Sequence, residues 1–402
     1  MSPIRLLFVL DGIAVAVVLP FASVILADRG FDPPAIGLVI ALTSVATVVS
    51  VSAWGHVADV VLGRARALQV AVLVAAAILV VFALPLPAVL VGAAYVAYAA
   101  SFGAVGPLAD ALAVNAMRDP AREYGRVRAL MSGSFALASV ALGLVYGVAG
   151  YGPAALLFGV IGVAIALAGG RVPDLARATL VAHRRGGAIR EAFAVQPALP
   201  RILVAIGLVY SGVLAGFTFL PLRIVELGGG APEVAIASAV SAAVEIGAMI
   251  AAGRLVPRVG LRLLFGASAL LYAVSLALWG VLPSPEAIIV SRPVSGIGYA
   301  GLWIAGVMTI QRLLPSRLQG SGQALFTITA TGVAGVLANI GGGLVYGGQG
   351  AGALFAIAAG LAVAGAVVGW TALPARGAPP GVRAEPGPTP GSRAEPGPTP
   401  GA

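Results

Sequence analysis

The stretch Gly143–Gly147 reads GLVYG, and the same five residues recur at Gly343–Gly347. The two copies lie almost half the chain length apart in a protein of 402 residues. In a chain rich in alanine, glycine, valine and leucine, a single repeated pentamer proves little. Further matches at the same offset would mean that one structural unit occurs twice.

The composition points to a membrane protein. Apolar residues make up 59% of the chain and charged residues only 10%, whereas a soluble domain carries about a quarter charged residues. The basic residues behind the net charge of +9 are all arginine, and they lie in short gaps instead of on one face with interleaved aromatics, as nucleic-acid binding requires. Cysteine is absent and histidine occurs twice, too few ligands for a zinc or haem site. We therefore expect no metal, no cofactor and no nucleic-acid partner.

Apolar runs long enough to cross a bilayer follow one another along the chain. About 20 mainly apolar residues span ~30 Å of hydrocarbon, and runs of this kind predict twelve helices separated by gaps rich in Pro, Gly and charge. Their approximate ranges are 5–27, 36–58, 68–86, 88–113, 128–148, 153–170, 201–225, 233–256, 263–282, 286–312, 321–347 and 351–373.

The arginines are segregated between the two sides of this arrangement. With a cytoplasmic N-terminus, only Arg29, Arg223 and Arg292 fall outside the inward gaps, the middle loop and the tail. Basic residues are retained on the cytoplasmic side. The pattern predicts a multi-pass protein of the cytoplasmic (inner or plasma) membrane with both termini in the cytoplasm.

Two further matches share nearly the offset of the pentamers. Leu19-Pro20 corresponds to Leu220-Pro221, and GHVADVVLGRARAL (55–68) corresponds to GRLVPRVGLRLL (253–264). Each match falls in the equivalent helix or gap, which predicts an all-α protein of two six-helix bundles in a parallel pseudo-twofold repeat. We place the bundles at 1–170 and 201–374, a cytoplasmic linker at 171–200, and a disordered tail at 375–402, where RAEPGPTPG occurs twice.

Over residues 1 to about 374 the chain resembles the major facilitator superfamily. The loop after the second helix in that superfamily reads roughly Gly-x-x-x-Asp-Arg-x-Gly-Arg-Arg. Here GHVADVVLGRAR departs from the pattern at Val60 and by one extra residue before the second glycine. The matching residues are Gly55, Asp59, Gly63, Arg64 and Arg66.

Three other stretches are similar to the branch of the superfamily that holds phenylpropionate permease and proton symporters for nucleosides and oligosaccharides. They are PLADAL (107–112), YGRVRALMSGSF (124–135) and AVEIGAM (243–249). The resemblance implies alternating access between two bundles, with the loop after the second helix as a cytoplasmic gate.

Glu245 is the first candidate for mechanism, because ionisable groups inside a membrane mark functional positions by default. It shares a helical face with Ser241, and we expect this face to line a cavity between the bundles. There it can bind substrate or carry a proton across. The alternative is a structural acid, hydrogen-bonded between helices.

Arg292 begins a polar and aromatic stripe that continues through Tyr299 and Trp303. It can neutralise Glu245 or hold a substrate carboxylate, and the rings beside it would suit a ring-bearing substrate. The alternative is an arginine that snorkels to the outer headgroups.

The remaining acids lie nearer the cytoplasmic ends of their helices. Asp11 has no evident local partner and is a second candidate for protonation. Asp110 is expected to pair with Arg126 or Arg128 as a structural lock or inner gate. Asp59 is expected to find its partner in Arg64, in Arg66 or in the positive N-terminus of a neighbouring helix.

These features predict a secondary transporter for a small organic solute, proton-coupled and monomeric in the lipid bilayer, and the resemblance implies uptake by symport. Proton-coupled efflux of a metabolite or drug is the alternative direction. A polytopic membrane enzyme would need a cluster of metal-binding acids or histidines, which the sequence lacks, so we expect no enzyme. The sequence also allows a third class of protein, a receptor or scaffold descended from a transporter.

Overall fold

The computed structural model describes residues 2–117, 119–174 and 185–374. Every regular element in these ranges is a helix, and no strand occurs among them. The predicted tail at 375–402 lies outside the described residues, and so do residues 175–184 of the predicted linker.

The first half of the chain forms six helices. They are α1 Pro3–Asp28, α2 Pro33–Leu62, α3 Arg64–Leu79, α4 Ala88–Ala116, α5 Pro120–Ala149 and α6 Ala154–Gly169. A 3₁₀ turn at Leu19–Phe21 interrupts α1 at its proline, whose ring cannot continue the backbone ladder.

The second half follows a short linker helix at Arg185–Val195. Its helices are α7 Leu199–Glu226, α8 Ala231–Val259, α9 Leu261–Val281, α10 Pro285–Leu313 and the stretch Ser316–Ala372. Gly350 has non-helical angles, φ 83° and ψ 176°, and divides that stretch into α11 (316–349) and α12 (351–372).

By length and hydropathy, nine helices within the described ranges can each cross a membrane, and the last of them contains both α11 and α12. Helices α3 and α6, of 16 residues each, fill the two other predicted places. The predicted boundaries are wrong at several ends. For instance, α5 begins at Pro120 instead of 128, because a helix continues into polar sequence beyond the hydrocarbon that hydropathy detects.

The repeat extends to the backbone conformation of the turns. All glycines with positive φ in the described residues fall into three pairs at nearly one offset, a conformation that other residues rarely adopt. The pairs are Gly30 and Gly228 (82° and 91°), Gly63 and Gly260 (79° and 81°), and Gly150 and Gly350 (65° and 83°). Equivalent helices therefore end in equivalent turns.

The two halves meet where α5 packs on α8 and where α2 packs on α11. We call the side at which α1 begins and the linker helix lies the linker side, and the opposite side the far side. In the first contact, a Cβ added at Gly143 would lie 2.3 Å from Ala235 Cβ, and one at Gly147 would lie 3.0 Å from Pro232 Cγ. Only glycine permits this approach to the proline-led start of α8.

The second pentamer makes the same kind of contact with the start of α2. A Cβ added at Gly343 would lie 2.6 Å from the Pro33 carbonyl oxygen, and one at Gly347 would lie 2.8 Å from Pro34 Cδ. In both GLVYG copies, therefore, the two glycines contact proline at the far side of the interface between the halves.

The tyrosines of the two pentamers also occupy equivalent places. Tyr146 packs edge-on against Phe21 of α1, with ring centroids 5.0 Å apart, and Tyr346 stacks on Phe219 of α7 at 5.5 Å. Tyr146 in addition donates a hydrogen bond to the Val17 carbonyl oxygen. Each pentamer thus joins its own half internally while its glycines contact the other half.

Nearer the linker side, the glycines of α5 and α8 have open space beside them. A Cβ added at Gly125 or Gly133 of α5, or at Gly247 or Gly253 of α8, would meet no atom within 4 Å. At its glycine positions the α5–α8 pair is therefore in close contact at the far side and has open space toward the linker side.

Replacing Gly343 by leucine should force the halves apart at the far side. Overpacking of this kind costs about 1–3 kcal/mol, so we expect G343L to lower the thermal unfolding midpoint of the purified protein. G133L is the matched control, since it adds the same side chain where there is room. Equal midpoints for the two variants would contradict the assignment of Gly343 to a close contact.

Candidate functional site

Glu245 lies on the face of α8 that packs against α10. Ser241 Oγ donates a hydrogen bond of 3.0 Å to Glu245 Oε1. Ser241 is buried, and its carbonyl oxygen is 2.8 Å from the place that a Cβ on Gly296 of α10 would take. Glu245 itself is only half-buried, so its carboxyl sits inside the protein with some access from outside.

Arg292 is held deep between three helices, with a side chain that is almost wholly buried. Its Nε donates to the Ala237 carbonyl oxygen of α8 at 3.0 Å, and its Nη1 donates to Ser295 Oγ at 3.0 Å. The guanidinium lies over the Trp279 ring of α9, 4.9 Å from its centroid, a stacking that favours arginine over lysine. The snorkelling alternative is therefore wrong, because the cation is satisfied inside the protein.

Arg292 and Glu245 do not pair directly. None of the ion pairs in the described part of the chain joins them. Arg292 contacts α8 at Ala237, which is two helical turns, about 12 Å along the axis, from Glu245. The two groups therefore form no direct ion pair in this conformation, although each lies within electrostatic reach of the other, and backbone and hydroxyl oxygens accept from the guanidinium.

Aromatic rings from three helices continue the site beyond Arg292. Tyr299 and Trp303 of α10 stack with centroids 6.3 Å apart, and Trp303 meets Phe326 of α11 at 5.5 Å. Tyr210 of α7 completes the group, 6.5 Å from Tyr299, with a buried hydroxyl that has no hydrogen-bond partner. Spacing along α10 predicts the first two rings, but only tertiary packing brings in the others.

The two Leu-Pro pairs noted in the sequence meet around one small pocket. Leu19 and Pro20 line it from α1, Leu220 and Pro221 line it from α7, and Arg292 lines it from α10. The pocket lies where the halves touch, so Arg292 reaches the boundary between them.

A second charged group lies in the first half. Asp11 is buried with 2% of its surface exposed, within electrostatic reach of Arg128 and Asp110. Arg128 Nη1 is 3.5 Å from Asp110 Oδ1. Of the two arginines proposed for Asp110, the structure selects Arg128. Asp11 thus has charged neighbours that its own helix does not reveal.

The predicted gate loop is built around a π-helical turn. The turn at Ala58–Leu62 takes up the extra residue that precedes Gly63, and Arg64 Nη2 lies 3.6 Å from Asp59 Oδ1. Arg66 is exposed, and a Cβ at Gly55 would meet no atom within 4 Å. Of the two arginines proposed for Asp59, the structure selects Arg64.

Sequence reasoning missed Asp174, which ties this loop to the end of α6. Asp174 Oδ2 accepts a 3.2 Å hydrogen bond from the Ala65 backbone N–H in the first turn of α3. The second half makes the equivalent tie with the backbone and side-chain roles exchanged, since the Arg262 side chain of α9 donates through Nε to the Leu373 carbonyl oxygen at 2.8 Å. No spacing signal links Asp174 to Ala65, because 109 residues separate them.

No group of three or more histidine, cysteine, aspartate or glutamate side chains comes together for metal binding within residues 2–117, 119–174 and 185–374.

Known transporters are similar to this chain in sequence and in fold. Maltose permease of Geobacillus stearothermophilus is 26% identical over 329 residues, covering 82% of this chain and 83% of that protein. A mutant of the nucleoside transporter NupG superimposes with a TM-score of 0.81 at 16% identity, covering 92% of this chain and 98% of that one.

A D-xylose-proton symporter superimposes with a TM-score of 0.68 at 15% identity, covering 93% and 97% of the two chains. At this identity the two structures speak for the fold alone. They confirm the predicted all-α membrane architecture, and the relatives are transporters and not enzymes. The family model described as MFS_1 like family matches residues 6–357, and the chain therefore belongs to that family of multi-pass membrane transporters.

Proposed function

We propose that this protein is a secondary active transporter that takes up a small organic solute by proton symport and alternating access. The observation that carries the proposal is the asymmetric interface, closed by the two glycine–proline contacts at the far side and open along α5 and α8 toward the linker side. With the arginine-rich linker side in the cytoplasm, this conformation faces inward. The protein acts as a monomer in the cytoplasmic membrane, with both termini inside.

In the transport cycle the halves 1–170 and 201–374 rock against each other. The contacts of Gly147 with Pro232 and of Gly347 with Pro34 separate while the linker side closes. The Asp59–Arg64 pair belongs to the gate on the cytoplasmic side, and the Asp110–Arg128 pair holds α4 to α5 as a structural lock.

Glu245 is the proton carrier in this scheme. Its carboxyl is half-buried and accepts from Ser241, so it can gain or lose a proton as access alternates. Arg292 is fixed by neutral acceptors and by Trp279, which leaves its charge available to a substrate oxygen. Asp11 is the second protonation site, in the first half.

The relative named for maltose supports a ring-bearing, hydroxylated solute, and the fold neighbours named for nucleosides and D-xylose supply further probes of that kind. The stacked Tyr299 and Trp303 rings offer flat apolar faces for such a ring. Maltose, D-xylose and uridine, with an aromatic acid as the contrasting probe, therefore form the first panel for uptake into proteoliposomes.

Glu245→Gln should uncouple transport from the pH gradient. An amide cannot carry the proton, so we expect uphill accumulation of the transported probe to disappear while exchange at equal concentrations persists. Radiolabelled uptake with and without an imposed gradient measures both. Glu286→Gln is the control, because Glu286 is an exposed acid at the start of α10. Unchanged accumulation in Glu245→Gln would remove Glu245 from the coupling mechanism.

Cross-linking the far side should stop transport. The chain has no native cysteine, so a disulfide between Gly147→Cys and Pro232→Cys joins only α5 to α8. We expect oxidation to slow exchange by about tenfold or more, since it blocks a required conformational step, and reduction to restore the rate. The single-cysteine variants control for the substitutions themselves. Full activity in the oxidised, cross-linked protein would exclude opening at this contact.

A further inference from the structure

A cavity of about 400 Å³ lies at the far side between the two halves, large enough for a small ligand, since such sites typically measure about 300–1,000 Å³. Asp28, Phe31 and Tyr151 line it from the first half, and Glu226 and Tyr346 from the second. We call it the far-side cavity. It lies apart from Glu245 and Arg292, neither of which lines it.

The far-side cavity carries one uncompensated negative charge. Asp28 is exposed and takes part in none of the ion pairs among the described residues. Its neighbour Arg29 is turned away and donates to the Leu84 carbonyl oxygen. The Glu226 carboxylate is 3.5 Å from Arg223 Nη1, so that acid is already balanced. A monovalent cation would match this charge.

Three aromatic residues, Phe31, Tyr151 and Tyr346, line the cavity together with these carboxylates. The Tyr346 hydroxyl is buried beside Glu226 without a hydrogen bond of normal geometry. Burial raises the pKa of Tyr151 to about 12, and the Asp28 carboxylate adds to the shift, so the charge of Asp28 acts at that ring. A cavity lined by aromatic rings and one unpaired carboxylate is the kind of site that recognises alkylammonium ions. A hard metal ion would instead need several oxygen ligands.

We propose that the far-side cavity binds a monovalent organic cation of the alkylammonium class. Both halves line the cavity, so a bound cation bridges them and favours the conformation in which the far side is closed. A cation added from outside then slows transport, and it does so without competing with substrate at the site around Glu245 and Arg292. This consequence rests on the proposed alternating access, whereas the binding itself does not.

Choline and its neutral carbon isostere, dimethylbutanol, test the site by calorimetric titration of the purified full-length protein. We expect choline to bind and the isostere not to bind. Asp28→Asn should weaken choline binding by about tenfold, and Tyr151→Leu by a few-fold, as loss of a charge partner and of a ring predicts. Glu286→Gln should leave binding unchanged, because that exposed far-side acid does not line the cavity.

Equal binding of choline and the isostere, or unchanged affinity in Asp28→Asn, would overturn the proposal. The conformational part has its own readout, because protein cross-linked between Gly147→Cys and Pro232→Cys should still bind choline. Loss of choline binding on cross-linking would show that the cation does not favour the conformation in which the far side is closed. Titration needs no transport substrate, so a failure of the proposed function would be recognised independently.

Discussion

The close approach of backbone to backbone at the far side is the constraint on which this structure depends. In lipid there is no hydrophobic drive to bring two helices together, so small residues and van der Waals contact must do it. The two GLVYG copies meet this need with glycine pairs against Pro33, Pro34 and Pro232. Proline at a helix start has no N–H to leave unsatisfied, which lets it serve as the apolar partner.

The charged side chains inside the protein likewise have few partners. Arg292 is satisfied by a backbone carbonyl, a serine and a tryptophan face, and Asp110 by Arg128. Within the part of the chain that the structure describes, Glu245 has Ser241 as its one hydrogen-bond partner. Arg292 is therefore held in one place by neutral partners, whereas the single hydrogen bond at Glu245 is compatible with the change of protonation that we propose for it.

Much of the fold could be predicted from sequence because hydropathy and glycine punctuation are local signals. The pentamers, the Leu-Pro pairs and the gate-like loop located the repeat, and their three-dimensional places agree with it. Local signals failed where distant segments meet. Asp174 on Ala65, Tyr210 beside Tyr299 and Trp279 under Arg292 join residues on different helices, and no periodicity in a single sequence encodes those pairs. The roles of Glu245 and Asp11 stay predictions.

The π-helical turns give the two inter-half contacts different mechanical character. One turn, Ala58–Leu62, ends α2, and the other, Ile328–Val333, lies within α11, so both belong to the helix pair closed by Pro33 and Pro34. A π turn widens the helix and weakens its hydrogen-bond ladder locally. The α5–α8 pair contains none within its described residues. Among the described residues the π turns of the interface therefore lie on one flank, and we expect the helices of that flank, which carries the second pentamer, to bend most easily at those turns.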